Sequence, residues 1–156
     1  MNFLKSISKA YNKEKLDFIF QSECSKLAIK YFSTVYININ NEFKTLNTYP
    51  DEWYNLYIQN NFFLYDPVYD IINDTYLPQP WNINALNTVN EKQVFFLKQT
   101  SHHEINYGFS IPIRGINNSK IFFTELYKNE MSYENQYIMS HASILYWDKM
   151  NEFHAE

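Results

Sequence analysis

Apolar residues recur along this chain at two periods, and the switches between them mark its elements. From 13 to 32, Leu16, Ile19, Phe20, Leu27, Ala28, Tyr31 and Phe32 fall mostly at helical spacing, which predicts a helix. From Ser33 the period becomes two. Val35, Ile37 and Ile39 share one face and Tyr36 takes the other, so a strand is expected. Asn40-Asn41 would be a tight turn into a second strand, Phe43 to Asn47. Helices are predicted at about 50–60 and 67–75. Between Tyr76 and Val89, proline and asparagine crowd the sequence and an irregular loop is expected. Asn90 opens a further helix, with Gln93 placed for a reciprocal cap; it carries Val94, Phe95 and Leu97 and ends near Ser101. A strand from Phe109 to Arg114, a turn at Gly115 to Ser119 and a strand from Lys120 to Tyr127 follow. A last helix runs from Ser132 to about Met150, with Tyr137, Ile138, His141, Ile144, Leu145 and Tyr146 as its apolar content. The order suggests one central antiparallel sheet with helices on both faces.

Two helix starts carry candidate chemistry. At Tyr49-Pro50-Asp51-Glu52 a proline takes a first helical position, and acids in the first turn meet the positive end of the helix dipole. At Asp66-Pro67 a capping carboxylate precedes another first-turn proline. Tyr49, Trp53 and Tyr57 are spaced four apart and form one stripe of phenol, indole and phenol. With the Asp66 carboxylate they offer donors, an acceptor and flat apolar walls. A small ligand with an amide, a ring and a hydrocarbon tail needs these features.

Composition narrows the alternatives. A chain of 156 residues, 46% hydrophobic, is long enough to bury one sizeable core. The net charge of −4 and the single arginine, Arg114, speak against a nucleic-acid surface. The one cysteine, Cys24, excludes an internal disulfide, suits a cytoplasmic location, and reads as a small buried hydrophobe. No apolar run approaches the roughly 20 residues that span a bilayer. His102-His103-Glu104 are adjacent, so their side chains diverge, and nothing completes a metal site; His141 is expected at an interior or interface position. No phosphate loop, nucleophile elbow or Ser-His-Asp arrangement is present, and no cofactor is expected.

The ordered set Tyr49, Pro50, Trp53, Tyr57; Asp66, Pro67; Pro78, Trp81; Tyr107, Gly108, Pro112; and Thr124 resembles the autoinducer-binding domain of LuxR-type quorum-sensing receptors. The resemblance covers about 12–148, and the chain's only two glycines, Gly108 and Gly115, fall where the family keeps glycine. It implies an α+β fold, an α-β-α sandwich with a central antiparallel sheet of about five strands and helices on both faces, enclosing an N-acyl homoserine lactone. Trp53 would donate to the lactone carbonyl, Asp66 would accept the amide N–H, and Tyr49 would donate to the acyl carbonyl. Thr124 would add a hydroxyl or a bridging water. Tyr57, Val68, Trp81 and Phe95 would complete the ligand-binding set as walls.

Departures from the family pattern also matter. Glu104 stands where many members have a glycine, four residues before the strand glycine, and Tyr54 where an arginine often follows the tryptophan. The family continues into a helix-turn-helix domain, whereas this sequence ends at Glu156. The expectation is a single stand-alone domain, 1–156, with no DNA reader and no enzymatic activity. It would hold a signal, or pair as a homodimer or as a mixed dimer with a full-length LuxR-type receptor. The alternative is a ligand-free interaction protein whose aromatics fill the former pocket. An enzyme such as a lactone hydrolase is the third class.

Overall fold

In a computed structural model, residues 2–38 and 43–154 are described, with the backbone alone at 38, 43–45 and 154. The expected turn at Asn40-Asn41, and Ile39, lie outside the described residues. Two compact units emerge: Met1–Lys30 with Met131–Glu156, and Tyr31–Glu130.

The first unit holds helices α1 (Phe3–Ile7), α2 (Lys13–Lys26) and α6 (Tyr133–His154). Asn12 caps α2 by accepting from Lys15 N–H, and Ser132 accepts from Asn135 N–H at the start of α6. Phe20 packs between Phe3 and Tyr146, at ring distances of 5.4 and 4.8 Å. The buried Tyr146 donates its hydroxyl to Asp17 at 2.7 Å. The sequence reading placed no helix at α1. On α6 the buried positions are Met139, Ala142, Ser143, Tyr146, Trp147 and Met150. Tyr137, His141 and Ile144 face outward instead, and the His141 ring lies 4.2 Å from that of Tyr137.

The second unit is built on a sheet of order β2-β1-β5-β4-β3. Its strands are β1 (Ile29–Asn38), β2 (Phe43–Asn47), β3 (Gln79–Asn82), β4 (Tyr107–Arg114) and β5 (Asn118–Leu126). The pairings β1–β2, β3–β4 and β4–β5 are antiparallel. Helices α3 (Asp51–Gln59), α4 (Pro67–Asn73) and α5 (Glu91–His102) and the 3₁₀ turns Phe62–Leu64 and Ile83–Ala85 complete the unit. The class is therefore α+β, as expected, with five strands; the pattern of apolar positions marks four of them, and the fifth is β3.

Two regions depart most from the pattern of apolar positions. α2 stops at Lys26, and Ile29 to Phe32 already belong to β1. Ala28 makes the break at φ 60, a left-handed conformation that helices commonly use to end and that glycine usually supplies. The expected loop at 76–89 contains β3 and a 3₁₀ turn. Pro80 lacks an N–H for the ladder, and β3 accommodates it as an edge strand.

Gly108 in β4 is required by close approach. Any Cβ there would collide with the Thr124 carbonyl and with the ring of Trp81, which lies across the strand. Arg114, at the end of β4, gathers the C-terminal carbonyls of α4, donating to Ile72 O at 2.6 Å and Asn73 O at 2.9 Å.

The end of α5 explains the family departure at Glu104. Ile105 N–H bonds to Thr100 O at 2.8 Å and Glu104 N–H to Ser101 O at 3.2 Å, a Schellman closure with Glu104 at φ 57. Glu104 is exposed, so its side chain is not needed for packing. A left-handed non-glycine residue costs about 1–2 kcal/mol, part of which glycine returns as extra unfolded-state entropy. Glu104→Gly is therefore expected to stabilise the fold by roughly 0.5–1 kcal/mol. The check is a higher urea midpoint at an unchanged m-value.

Candidate functional site

A cavity of about 410 Å³ opens inside the second unit. α3 supplies Trp53, Tyr54, Tyr57 and Ile58, and the start of α4 supplies Asp66, Val68 and Tyr69. Strands β1, β2, β3 and β5 contribute Ser33 and Val35, Asn47, Trp81, and Phe123. Tyr49, Phe63, Ile83, Phe96, Thr100 and Ile105 complete the lining. Among the described residues Asp66 is its only charged member, and no lysine, arginine or histidine lines it.

The polar end is assembled by a helix start. Asp66 is the N-cap of α4, with Pro67 following, and its Oδ1 accepts from Val68 N–H at 2.8 Å and Tyr69 N–H at 3.4 Å. Its Oδ2 accepts the Tyr57 hydroxyl at 2.8 Å. Capping and facing the cavity are thus one placement, and an ionised carboxylate with about four acceptor positions has one left over. Burial pushes the Asp66 carboxyl up from an ordinary 3.8 to about 6, against the Tyr57 hydroxyl and the two backbone amides that pull it down. Burial likewise raises the phenols of Tyr49 and Tyr57, so both stay protonated donors.

Trp53 is buried, with its ring 6.1 Å from those of Tyr57, Phe62 and Phe96 and 5.3 Å from that of His103. Neither its indole N–H nor the Tyr49 hydroxyl has a hydrogen-bond partner among the described residues. Both groups belong to side chains that line the cavity. Trp81 differs: its N–H donates to Ser110 Oγ at 3.0 Å, which makes it a fixed wall.

Of the eight residues singled out from sequence, six line the cavity: Tyr49, Trp53, Tyr57, Asp66, Val68 and Trp81. Phe95 does not. Its neighbour Phe96 does, while Phe95 is 45% exposed. The inward face of α5 is Gln93, Phe96 and Thr100, spaced i, i+3, i+7, and two polar members hide that phase from a hydrophobicity pattern. Thr124 does not line it either. Its hydroxyl accepts from Phe109 N–H at 3.1 Å and donates to Phe109 O at 2.6 Å, so β4 occupies it. The adjacent Phe123 points inward and stacks on Tyr69, with rings 6.3 Å apart. β5 is buried on both faces over much of its length, so alternation could not tell Phe123 from Thr124.

Among the described residues no cluster of three or more His, Cys, Asp or Glu is placed to hold a metal ion, and no helix is long and apolar enough to cross a membrane. The sequence model of the autoinducer binding domain matches residues 16–145. The chain belongs to the autoinducer binding domain family.

This autoinducer-binding domain is 34% identical over 80 residues to the transcriptional activator LuxR of Aliivibrio fischeri. That stretch is 51% of this chain and 32% of LuxR, so the match spans about a third of the activator. The fold is similar to that of CepR2 from Burkholderia cenocepacia, described as an N-acylhomoserine lactone dependent transcription factor. The TM-score is 0.80 at 12% identity, covering 99% of this chain and 94% of that one. It is similar also to Escherichia coli SdiA, at TM-score 0.79 and 15% identity over 98% of this chain and 66% of that one. The domain is a signal-binding domain of LuxR type.

The raised Asp66 sets the direction of a pH effect. The folded state holds this proton to higher pH than the unfolded chain. The stability it contributes is therefore complete below about pH 4 and lost as pH rises through about 6. In urea denaturation the difference between wild type and Asp66→Asn should change over that window by on the order of 2–3 kcal/mol and be flat above it. Tyr57→Phe removes a bond that favours the carboxylate, so carboxyl titration followed by NMR should move further upward.

Proposed function

We propose that this domain is a cytoplasmic, non-enzymatic sensor whose cavity takes an N-acyl homoserine lactone or a related acylated signal. The observation that carries the reading is the arrangement at the polar end: an indole N–H and a phenol without partners among the described residues, beside a carboxylate with acceptor capacity left, in a chamber lined mainly by aromatic and aliphatic side chains with Ser33, Asn47 and Thr100. An acyl amide next to a lactone presents two carbonyl acceptors and one N–H donor. Trp53 donates to the lactone carbonyl, Tyr49 to the acyl carbonyl, and Asp66 accepts the amide N–H. Each buried polar atom of the ligand is then matched, which matters because an unmatched one costs about 1–3 kcal/mol.

The alternative of a ligand-free interaction protein needs aromatics packed into this space. An open volume of about 410 Å³ weighs against it. SdiA has also been solved with octanoyl-rac-glycerol, so acylated glycerols belong among the ligands to be compared. Output would come through pairing, as a homodimer or with a full-length LuxR-type receptor. The exposed Tyr133, Tyr137 and His141 on α6 are the aromatic surface available for it. An acidic chain with one arginine does not supply DNA affinity.

Asp66→Asn and Trp53→Phe should each weaken binding at least tenfold by calorimetry while leaving the fold intact, since each removes a partner worth roughly 1.5–3 kcal/mol. At a hundredfold excess over Kd a cognate ligand adds about 2.7 kcal/mol, and melting should rise by several degrees. Unchanged affinity in both variants, or no melting shift across acyl lactones of all lengths, refutes the reading.

A further inference from the structure

The side chains at the polar end of the cavity are buried or half-buried, and exposed ones stand elsewhere on its lining. Around Asp66, which is 7% exposed, Trp53, Val68 and Trp81 are all buried. Among the described residues two lining side chains are exposed, and both are apolar: Ile58 at 49% and Phe63 at 37%. Ile58 lies one turn beyond Tyr54 on α3. Phe63 stands on the 3₁₀ turn that follows, where the chain reverses through Asn61 at φ 51. An exposed isoleucine and phenylalanine on the wall of an apolar chamber are unfavourable neighbours for water and suitable ones for hydrocarbon.

We propose that Ile58 and Phe63 form an apolar port through which the ligand's acyl tail leaves the cavity, so that this domain accepts tails longer than its interior holds. The inference rests on the acyl-signal reading above. A chamber closed at the rim would reject longer tails, because extra methylenes overpack a filled interior. An open rim lets them lie on apolar surface or in water at little further gain or loss.

The test is a series of butanoyl, hexanoyl, octanoyl, decanoyl and dodecanoyl homoserine lactones, titrated by calorimetry into the wild-type domain and into Ile58→Trp. In the wild type, Kd should improve by about fourfold per buried methylene among the short members and then level off, without loss at dodecanoyl. Ile58→Trp places a larger ring on an already exposed position. It should leave the denaturation midpoint unchanged and weaken decanoyl and dodecanoyl binding at least tenfold more than it weakens butanoyl binding. Phe63→Trp, plugging the same rim from the other side, should reproduce that pattern. A steep loss of affinity at decanoyl in the wild type overturns the port, as does a plateau that survives both tryptophan variants, and either leaves the sensor reading standing. Absence of binding at every length overturns both together.

Discussion

The buried carboxylate of Asp66 must satisfy a helix start and a cavity at once, and the arrangement around it follows from that double demand. One oxygen is committed to the first amides of α4, which fixes where α4 begins. The other is committed in part to Tyr57, which ties α4 to α3. Removing such a group from water is unfavourable, and its elevated pKa of about 6 is the measure of that cost. A carboxylate used only as a cap sits equally well at the surface, where water completes its shell. Keeping it inside makes chemical sense if something in the cavity uses the remaining acceptor position.

The walls are shaped by a second constraint, the absence of a side chain at Gly108. Trp81 can lie flat across β4 only there, and its N–H is then held by Ser110, two residues further along the strand. One tryptophan is thus a rigid wall with its donor taken. Trp53, on the facing helix, keeps its donor free for the cavity. The two indoles are alike in the sequence, and their difference in role comes from the strand that one of them crosses.

This contrast also marks how far the sequence could be read. Helix starts were legible because proline and capping side chains announce them: Asp66-Pro67 and Asn90 with Gln93 both stand where expected, although Gln93 reaches back to Val89 N–H, one residue before the cap. Helix ends were not. A chain with two glycines ends helices on Ala28, Asn61 and Glu104 in left-handed conformations, and alanine or glutamate carries no stop signal. Hence Tyr31 and Phe32 read as helix while belonging to β1. β3 was hidden by Pro80, tolerated because the strand lies at the sheet edge. Within the site, the stripe Tyr49, Trp53, Tyr57 was legible from its spacing of four. Phe96 and Phe123 were missed in favour of Phe95 and Thr124, because the helical phase was masked by polar members and β5 is buried on both faces.

The two ends of the cavity discriminate by different physics. At the polar end each unmatched donor or acceptor costs about 1–3 kcal/mol, so exchanging an amide for a group of the wrong polarity changes affinity by a large step. Along the apolar walls each methylene is worth only about 0.8 kcal/mol, and a flexible aromatic lining absorbs small differences. A cavity whose one charged member among the described residues is a carboxylate adds a further filter, since an anionic head group would meet Asp66 with no described cation to offset the repulsion. On the proposed acyl-signal reading, the head of the ligand decides its chemical class and the tail grades affinity within that class. That division would let a site built from so many interchangeable aromatic residues remain selective, because selectivity would reside in the few atoms of Tyr49, Trp53 and Asp66 rather than in the larger surface around them.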